Sequence, residues 1–137
     1  MASTVYSFYS FALQTGNEPP VALAAPMSQH AVMGSIIKLD GRNSYDPEGA
    51  SLTYTWTFLE VPSGSELNNT SFDDLADGGQ VVSFTPDVTG LYRAQLVVND
   101  GQFDSAPYGV VAYVQPAMVP VCSDIIPDAR FLLRTIS

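Results

Sequence analysis

The segment from Leu52 to Leu59 restricts this chain more than any other stretch. Leu52, Tyr54, Trp56 and Phe58 alternate with Thr53, Thr55 and Thr57. A period of two places every large ring on one side of an extended strand and every threonine on the other. A helix would scatter the same residues around its circumference. The segment Leu91 to Asn99 repeats the pattern. Tyr92, Ala94, Leu96 and Val98 fall on one side, and Leu91, Arg93, Gln95 and Val97 on the other. The second set is mixed, so that side is expected to be partly covered.

Shorter strand signals lie at Val21–Ala24, Ser35–Leu39, Gln80–Phe84 and Val110–Gln115, with turn residues between them. No helix of any length is expected. Recurrent short strands of this kind define an all-β sandwich. Asp100-Gly101 separates two strand-like runs and favours a tight hairpin, because both residue types tolerate positive φ. Pro107 marks a bulge or an edge position in the last strand. Residues 60–79, rich in Ser, Gly, Asn and Asp, read as a long irregular connection.

The charge is unevenly spread. The chain of 137 residues has a formal net charge of −9 and only five basic residues. Nucleic-acid binders neutralise phosphates with clustered Lys and Arg, so nucleic acid is not an expected partner. All of the excess falls in residues 17–115, whereas residues 1–16 carry no charged side chain. Residues 116–137 balance two acids against two bases. No apolar run reaches the roughly 18 residues of a membrane span. The opening MASTVYSFYSFALQTG lacks the basic leading segment of a secretory signal and reads as part of the working protein. The one cysteine, Cys122, excludes an intramolecular disulfide. It reads either as a small, partly buried residue or as a free thiol.

From Asn17 to Gln115 the chain resembles the PKD family, in particular its bacterial and phage-borne branch. Five pieces occur in the family's order. They are Asn17-Glu18-Pro19-Pro20-Val21-Ala22, Leu39 to Gly49 (LDGRNSYDPEG), Leu52-Thr53-Tyr54-Thr55-Trp56, Phe84 to Tyr92 (FTPDVTGLY), and Val97-Val98-Asn99-Asp100-Gly101. The resemblance implies an immunoglobulin-like β-sandwich of about seven strands at 17–115, with an N-terminal extension at 1–16 and a C-terminal one at 116–137. In such a fold Trp56 is the buried central aromatic, and Asp87, Gly90 and Tyr92 form a tyrosine corner, with the phenol bonded back to nearby backbone.

The resemblance also implies a calcium site. Asn17, Asp46, Glu48 and Asp100 would gather at one end of the sandwich and offer the oxygen ligands that Ca²⁺ takes. The family's Asp-x-Asp-Gly-Asp run is here Asp46-Pro47-Glu48-Gly49-Ala50, one carboxylate short. The same residues also read as turn formers, with Asp46 bonding backbone amides. Calcium aside, no cofactor is required.

Nothing points to catalysis. The one histidine, His30, falls in a stretch that reads as an exposed loop, and one His with one Cys gives no zinc spacing. Asp73-Asp74 reads as a solvating pair. The chain is therefore expected to be non-enzymatic. The leading expectation is a virion structural subunit at the particle surface, a phage decoration or head- or tail-associated protein. Its partners would be other capsid or tail subunits and host surface glycans. The anchoring residues would be Val5, Tyr6, Phe8, Tyr9, Phe11 and Leu13 in one extension and Phe131, Leu132 and Leu133 in the other. These ends could equally pack on their own sandwich. The alternative is a carbohydrate- or protein-binding module, extracellular or at the cell surface, serving adhesion or spacing.

Overall fold

The computed structural model describes residues 16–117. These form seven strands in two sheets: β1 (Ser28–Val32), β2 (Ile37–Asp40), β3 (Thr53–Glu60), β4 (Asp73–Ala76), β5 (Val81–Phe84), β6 (Gly90–Asn99) and β7 (Tyr108–Gln115). One sheet has the order β1-β7-β6-β3 and the other β2-β5-β4. The fold is an immunoglobulin-like sandwich. All pairings are antiparallel except β1 on β7, which sets the first strand beside the last.

The alternation of β3 and β6 does what period two requires. Trp56 faces Leu96 and Phe58 faces Ala94 across the two strands. Tyr92, Ala94, Leu96 and Val98 are all buried, and Val110, Ala112 and Val114 of β7 continue that inner side. Ile37, Leu39, Val82 and Phe84 come from the opposite sheet. Phe84 meets Phe58 edge-on at 5.0 Å and lies 5.5 Å from Tyr92, so rings from both sheets interlock. Phe72, from the connection after β3, stacks on Phe58 at 4.3 Å. Such ring pairs add to what area burial alone gives.

Trp56 is buried to 7% exposure, and its indole nitrogen donates to the Gly79 carbonyl at 2.8 Å. Gly41 lies close by. A Cβ there would stand 2.8 Å from Leu96 and 3.3 Å from Trp56, so only glycine lets the turn after β2 approach the core.

Several expectations need correction. Residues 60–79 are not wholly irregular: they contain β4, flanked by 3-10 turns at Asn69–Ser71 and Asp77–Gly79. The strand is short, has two acids in four residues and is bulged after Asp74, so it shows no alternation. Asp74 does more than solvate, since its Oδ1 accepts from the amides of Ala76 and Gly79. His30 sits on strand β1, not in a loop, and stacks on Tyr113 at 5.0 Å.

Val21–Ala24 buries Ala22 and Ala24 but makes only isolated bridges, Val21 to Tyr45 and, just beyond it, Ala25 to Asp40. Between them the Ser44 hydroxyl takes the place of a neighbouring strand, accepting from Leu23 N and donating to Leu23 O. The Asp100-Gly101 turn is longer than a two-residue hairpin. Asn99 pairs with Asp104, and Asp100 N donates to Phe103 O at 3.2 Å. Beyond it, Asn99 and Asp104 are paired, and so are Leu96 and Tyr108. The stretch holding Ala106-Pro107 therefore carries one residue more than its partner and forms a bulge.

Trp56→Ala is expected to cost about 3–5 kcal/mol, from the cavity and the orphaned Gly79 carbonyl. Urea denaturation followed by far-ultraviolet circular dichroism measures it. A loss under about 1 kcal/mol would contradict the placement of Trp56 at the centre of the core.

Candidate functional site: the Asp46–Asp100 end

Four residues singled out in the sequence meet at one end of the sandwich, held there by three different segments. Asn17 lies in the entry segment, Asp46 and Glu48 in the turn after β2, and Asp100 in the turn after β6. The Asn17 amide donates to Asp100 Oδ2 at 2.6 Å. The Glu18 amide donates to Glu48 Oε1 at 3.0 Å. Together these contacts tie the entry segment to both turns.

Asp46 is the best buried of the carboxylates, at 8% exposure. Its Oδ2 accepts from the amides of Glu48 (2.9 Å) and Ala50 (3.0 Å), which fixes the Asp46-Pro47-Glu48-Gly49 turn. Its Oδ1 is buried without a hydrogen-bond partner. An orphaned carboxylate oxygen is costly, because it loses hydration and gains nothing in return. Asp100 Oδ1 accepts from the amides of Gln102 and Phe103, both at 2.7 Å. The Phe103 amide foremost, then the amides of Asn17 and Gln102, hold the Asp100 carboxyl below its usual range against the opposing pull of desolvation.

The donors suit a hard cation, because carboxylate and amide oxygens are what Ca²⁺ accepts. Asp46 Oδ1 is the observation that carries this fit, and Asn17 would present its amide oxygen after a half-turn of the side chain. The set is incomplete from side chains alone. Glu48 is directed to the Glu18 amide, and among the described residues no three His, Cys, Asp or Glu side chains are grouped to hold a metal.

At Asp87, Gly90 and Tyr92 a second constellation forms. The Tyr92 hydroxyl donates to the Val88 carbonyl (2.6 Å), with Asp87 Oδ1 3.1 Å away, and accepts from the Val88 amide (3.1 Å). Asp87 also receives the Ser65 hydroxyl at 2.6 Å and the Glu66 amide at 2.7 Å. The Ser65 bond first, and the Glu66 bond second, lower the Asp87 carboxyl from its ordinary value. Gly90 has φ of +134°, and a Cβ there would lie 2.9 Å from Pro62. The corner is a structural clamp on the long connection after β3.

One feature escaped the sequence reading. A groove of about 420 Å³ opens beside the Asp46 turn, lined by Tyr45, Tyr54, Ser51 and Gln80 among others. Tyr45 is 52% exposed there. An aromatic next to a turn aspartate was the available signal. The terminal residues Val5, Tyr6, Phe8, Tyr9, Phe11, Leu13, Phe131, Leu132 and Leu133, and Cys122, lie outside the described residues.

No protein family matches the sequence, and no curated protein does. Solved structures do match in fold. The PKD domain of the KIAA 1837 protein is 22% identical with a TM-score of 0.54, covering 80% of this chain and 99% of that one. The PKD domain of human KIAA0319 is 14% identical with a TM-score of 0.56, covering 81% and 96%. A nucleoside hydrolase-related protein of Saccharophagus degradans, described as associated with carbohydrate metabolism, is 23% identical with a TM-score of 0.56. That match covers 73% of this chain but only 26% of the other. The sandwich is thus an immunoglobulin-like module with the PKD fold.

Asp87 and Asp100 give the fold a definite acid response. Both carboxyls are held below the ordinary aspartate value, so their contribution is complete above about pH 4. It is lost as the pH falls through the lowered folded-state values. The thermal midpoint should be flat from pH 7 to 5 and fall below pH 4, and Asp87→Asn should flatten that fall. An unchanged acid slope in the variant would contradict the role given to Asp87.

Proposed function

We propose that this chain is a non-enzymatic virion structural protein, a phage decoration or head- or tail-associated subunit at the particle surface. Its ends anchor it to capsid or tail subunits. The observation that carries this reading is the partition of charge. The sandwich holds the whole excess of negative charge, whereas residues 1–16 are uncharged and rich in aromatic and aliphatic side chains. Net charge keeps the body soluble and apart from its like. An uncharged aromatic end supplies anchors of the kind that dominate protein interfaces.

Full-length protein should co-purify with particles in stoichiometric amount, as read by quantitative mass spectrometry. Replacing Tyr6, Phe8, Phe11 and Leu13 together by serine should reduce incorporation at least tenfold while leaving the sandwich spectrum unchanged. A chain absent from purified particles would overturn the reading.

The groove at Tyr45 favours a second reading, a carbohydrate- or protein-binding module at a cell surface or outside the cell. An exposed ring beside Ser51, Asp46 and Gln80 offers a stacking plane and polar groups of the kind a sugar requires. In the virion reading the same groove contacts host surface glycans. Binding to a glycan array that disappears in Tyr45→Ala would support it, and an array on which wild type and variant behave alike would remove it.

Calcium is the cofactor proposed for the Asp46–Asp100 end, held by Asp46 and Asp100 with Asn17. It would supply charge neutralisation and a tie between entry segment and turns. A ligand specific to the native state at a hundred times its Kd adds about 2.7 kcal/mol. Millimolar calcium should therefore raise the thermal midpoint of wild type by several degrees and leave that of Asp46→Asn unmoved. An unmoved wild type would exclude the ion.

A further inference from the structure

The outward side of the four-stranded sheet differs from the rest of the body. Its composition follows from the register. Tyr92, Ala94, Leu96 and Val98 point inward, so Leu91, Arg93, Gln95 and Val97 of β6 point outward. Arg93 faces Val111, Leu91 faces Tyr113, and Tyr113 stacks on His30 of β1. On β3 the threonines Thr53, Thr55 and Thr57 share this side.

Three formal charges fall on this side: Arg93, Glu60 and, at the end of the sheet, Asp104, which is bridged to the outward-facing Asn99 and accepts from its side-chain amide at 2.9 Å. Arg93 and Glu60 are paired across the strands at 3.9 Å at its rim. Tyr113 (43%), Val32 (42%) and the bulged Leu59 (50%) are exposed large hydrophobics on or beside it. A sparsely charged, partly apolar sheet face on a strongly acidic body meets the description of a docking surface.

We propose that this face is the acceptor for residues Val5–Leu13 of a neighbouring copy of the same chain. The inference rests on the anchoring reading above and names the surface it uses. Three observations select the occupant. The segment has no charge, and the middle of the face has none beyond the Arg93–Glu60 pair at one rim and Asp104 at one end, so docking along the middle strips no unpaired charged group of water. Nine extended residues reach about 30 Å, the length of a ten-residue strand such as β6. The entry segment is tied down at Asn17 and Glu18, yet one residue earlier a Cβ on Gly16 would meet nothing within 4 Å. Gly16, where the described chain begins, therefore has open space beside it. Exchange of one identical element between copies is a route to ordered assemblies.

Site-directed crosslinking of the full chain, in a Cys122→Ser background, tests the proposal. One preparation carries Phe8→Cys, a second Tyr113→Cys, and a third, as control, Lys38→Cys on the three-stranded sheet. Mixing the first with the second under mild oxidation should give a mixed disulfide dimer at least tenfold more abundant than mixing the first with the third. Val97→Cys, a second acceptor position, should behave as Tyr113→Cys does. Equal yields in both mixtures would overturn the proposal. So would a chain carrying both Phe8→Cys and Tyr113→Cys that closes on itself as a monomer, which would make the segment a cover for its own sheet. Incorporation into particles is scored separately. A chain that joins particles without the crosslink leaves the anchoring reading standing and sinks this acceptor face. A chain that crosslinks but is absent from particles does the reverse.

Discussion

The ring of Phe84 is the contact on which the rest of this sandwich depends. It comes from the central strand of the three-stranded sheet and lies among Phe58 and Tyr92 of the opposite sheet and Phe72 of the long connection. Two sheets and an irregular segment thus share one cluster. Without a disulfide in the described body, inter-sheet cohesion falls to this cluster and to the aliphatic layer around it, since burial of apolar area is the dominant favourable term. Tyr92 extends the cluster outward: its ring packs inside while its hydroxyl clamps the Val88 backbone and touches Asp87. Core packing and loop order are therefore coupled through one side chain.

The acidic groups follow a common logic. Asp46 and Asp100 each accept two backbone amides of their own turns, whereas Asp87 accepts one amide and the Ser65 hydroxyl from the connection after β3. A carboxylate that takes two amides does for a turn what a ladder does for a strand. Two such turns lie at the Asp46–Asp100 end, and Asp74 holds another with the amides of Ala76 and Gly79. The orphaned Asp46 Oδ1 departs from that economy. It is the one buried side-chain oxygen among the described residues whose hydrogen bonding is unmet, and it lies where the cation reading places its ligands.

Much of the fold was legible in the residues. The alternation at Leu52–Leu59 and Leu91–Asn99 located β3 and β6 because each strand has one buried side, and a half-buried strand must alternate. Pro107 marked a bulge because proline cannot donate to a ladder. By contrast, β4 was invisible, since a bulged edge strand with two acids carries no period. His30 looked like a loop residue because β1 is an exposed edge whose side chains need not be apolar. The turn around Asp100 was longer than Asp-Gly suggests, because the Asp100 carboxylate captures the amides of Gln102 and Phe103 and pulls two further residues into it.

By itself the sequence determined the sandwich, its central tryptophan and the division between an acidic body and ends without net charge. Periodicity and charge are local properties, so a single chain displays them openly. Only the tertiary structure decided which residues share a surface. It brought Asn17 and Asp100 together across 83 positions, left Asp46 Oδ1 without a partner, opened the groove beside Tyr45, and gathered a nearly neutral face from four strands. Those groupings depend on strand order and register, and the pairing of β1 with β7 joins residues that no local pattern connects.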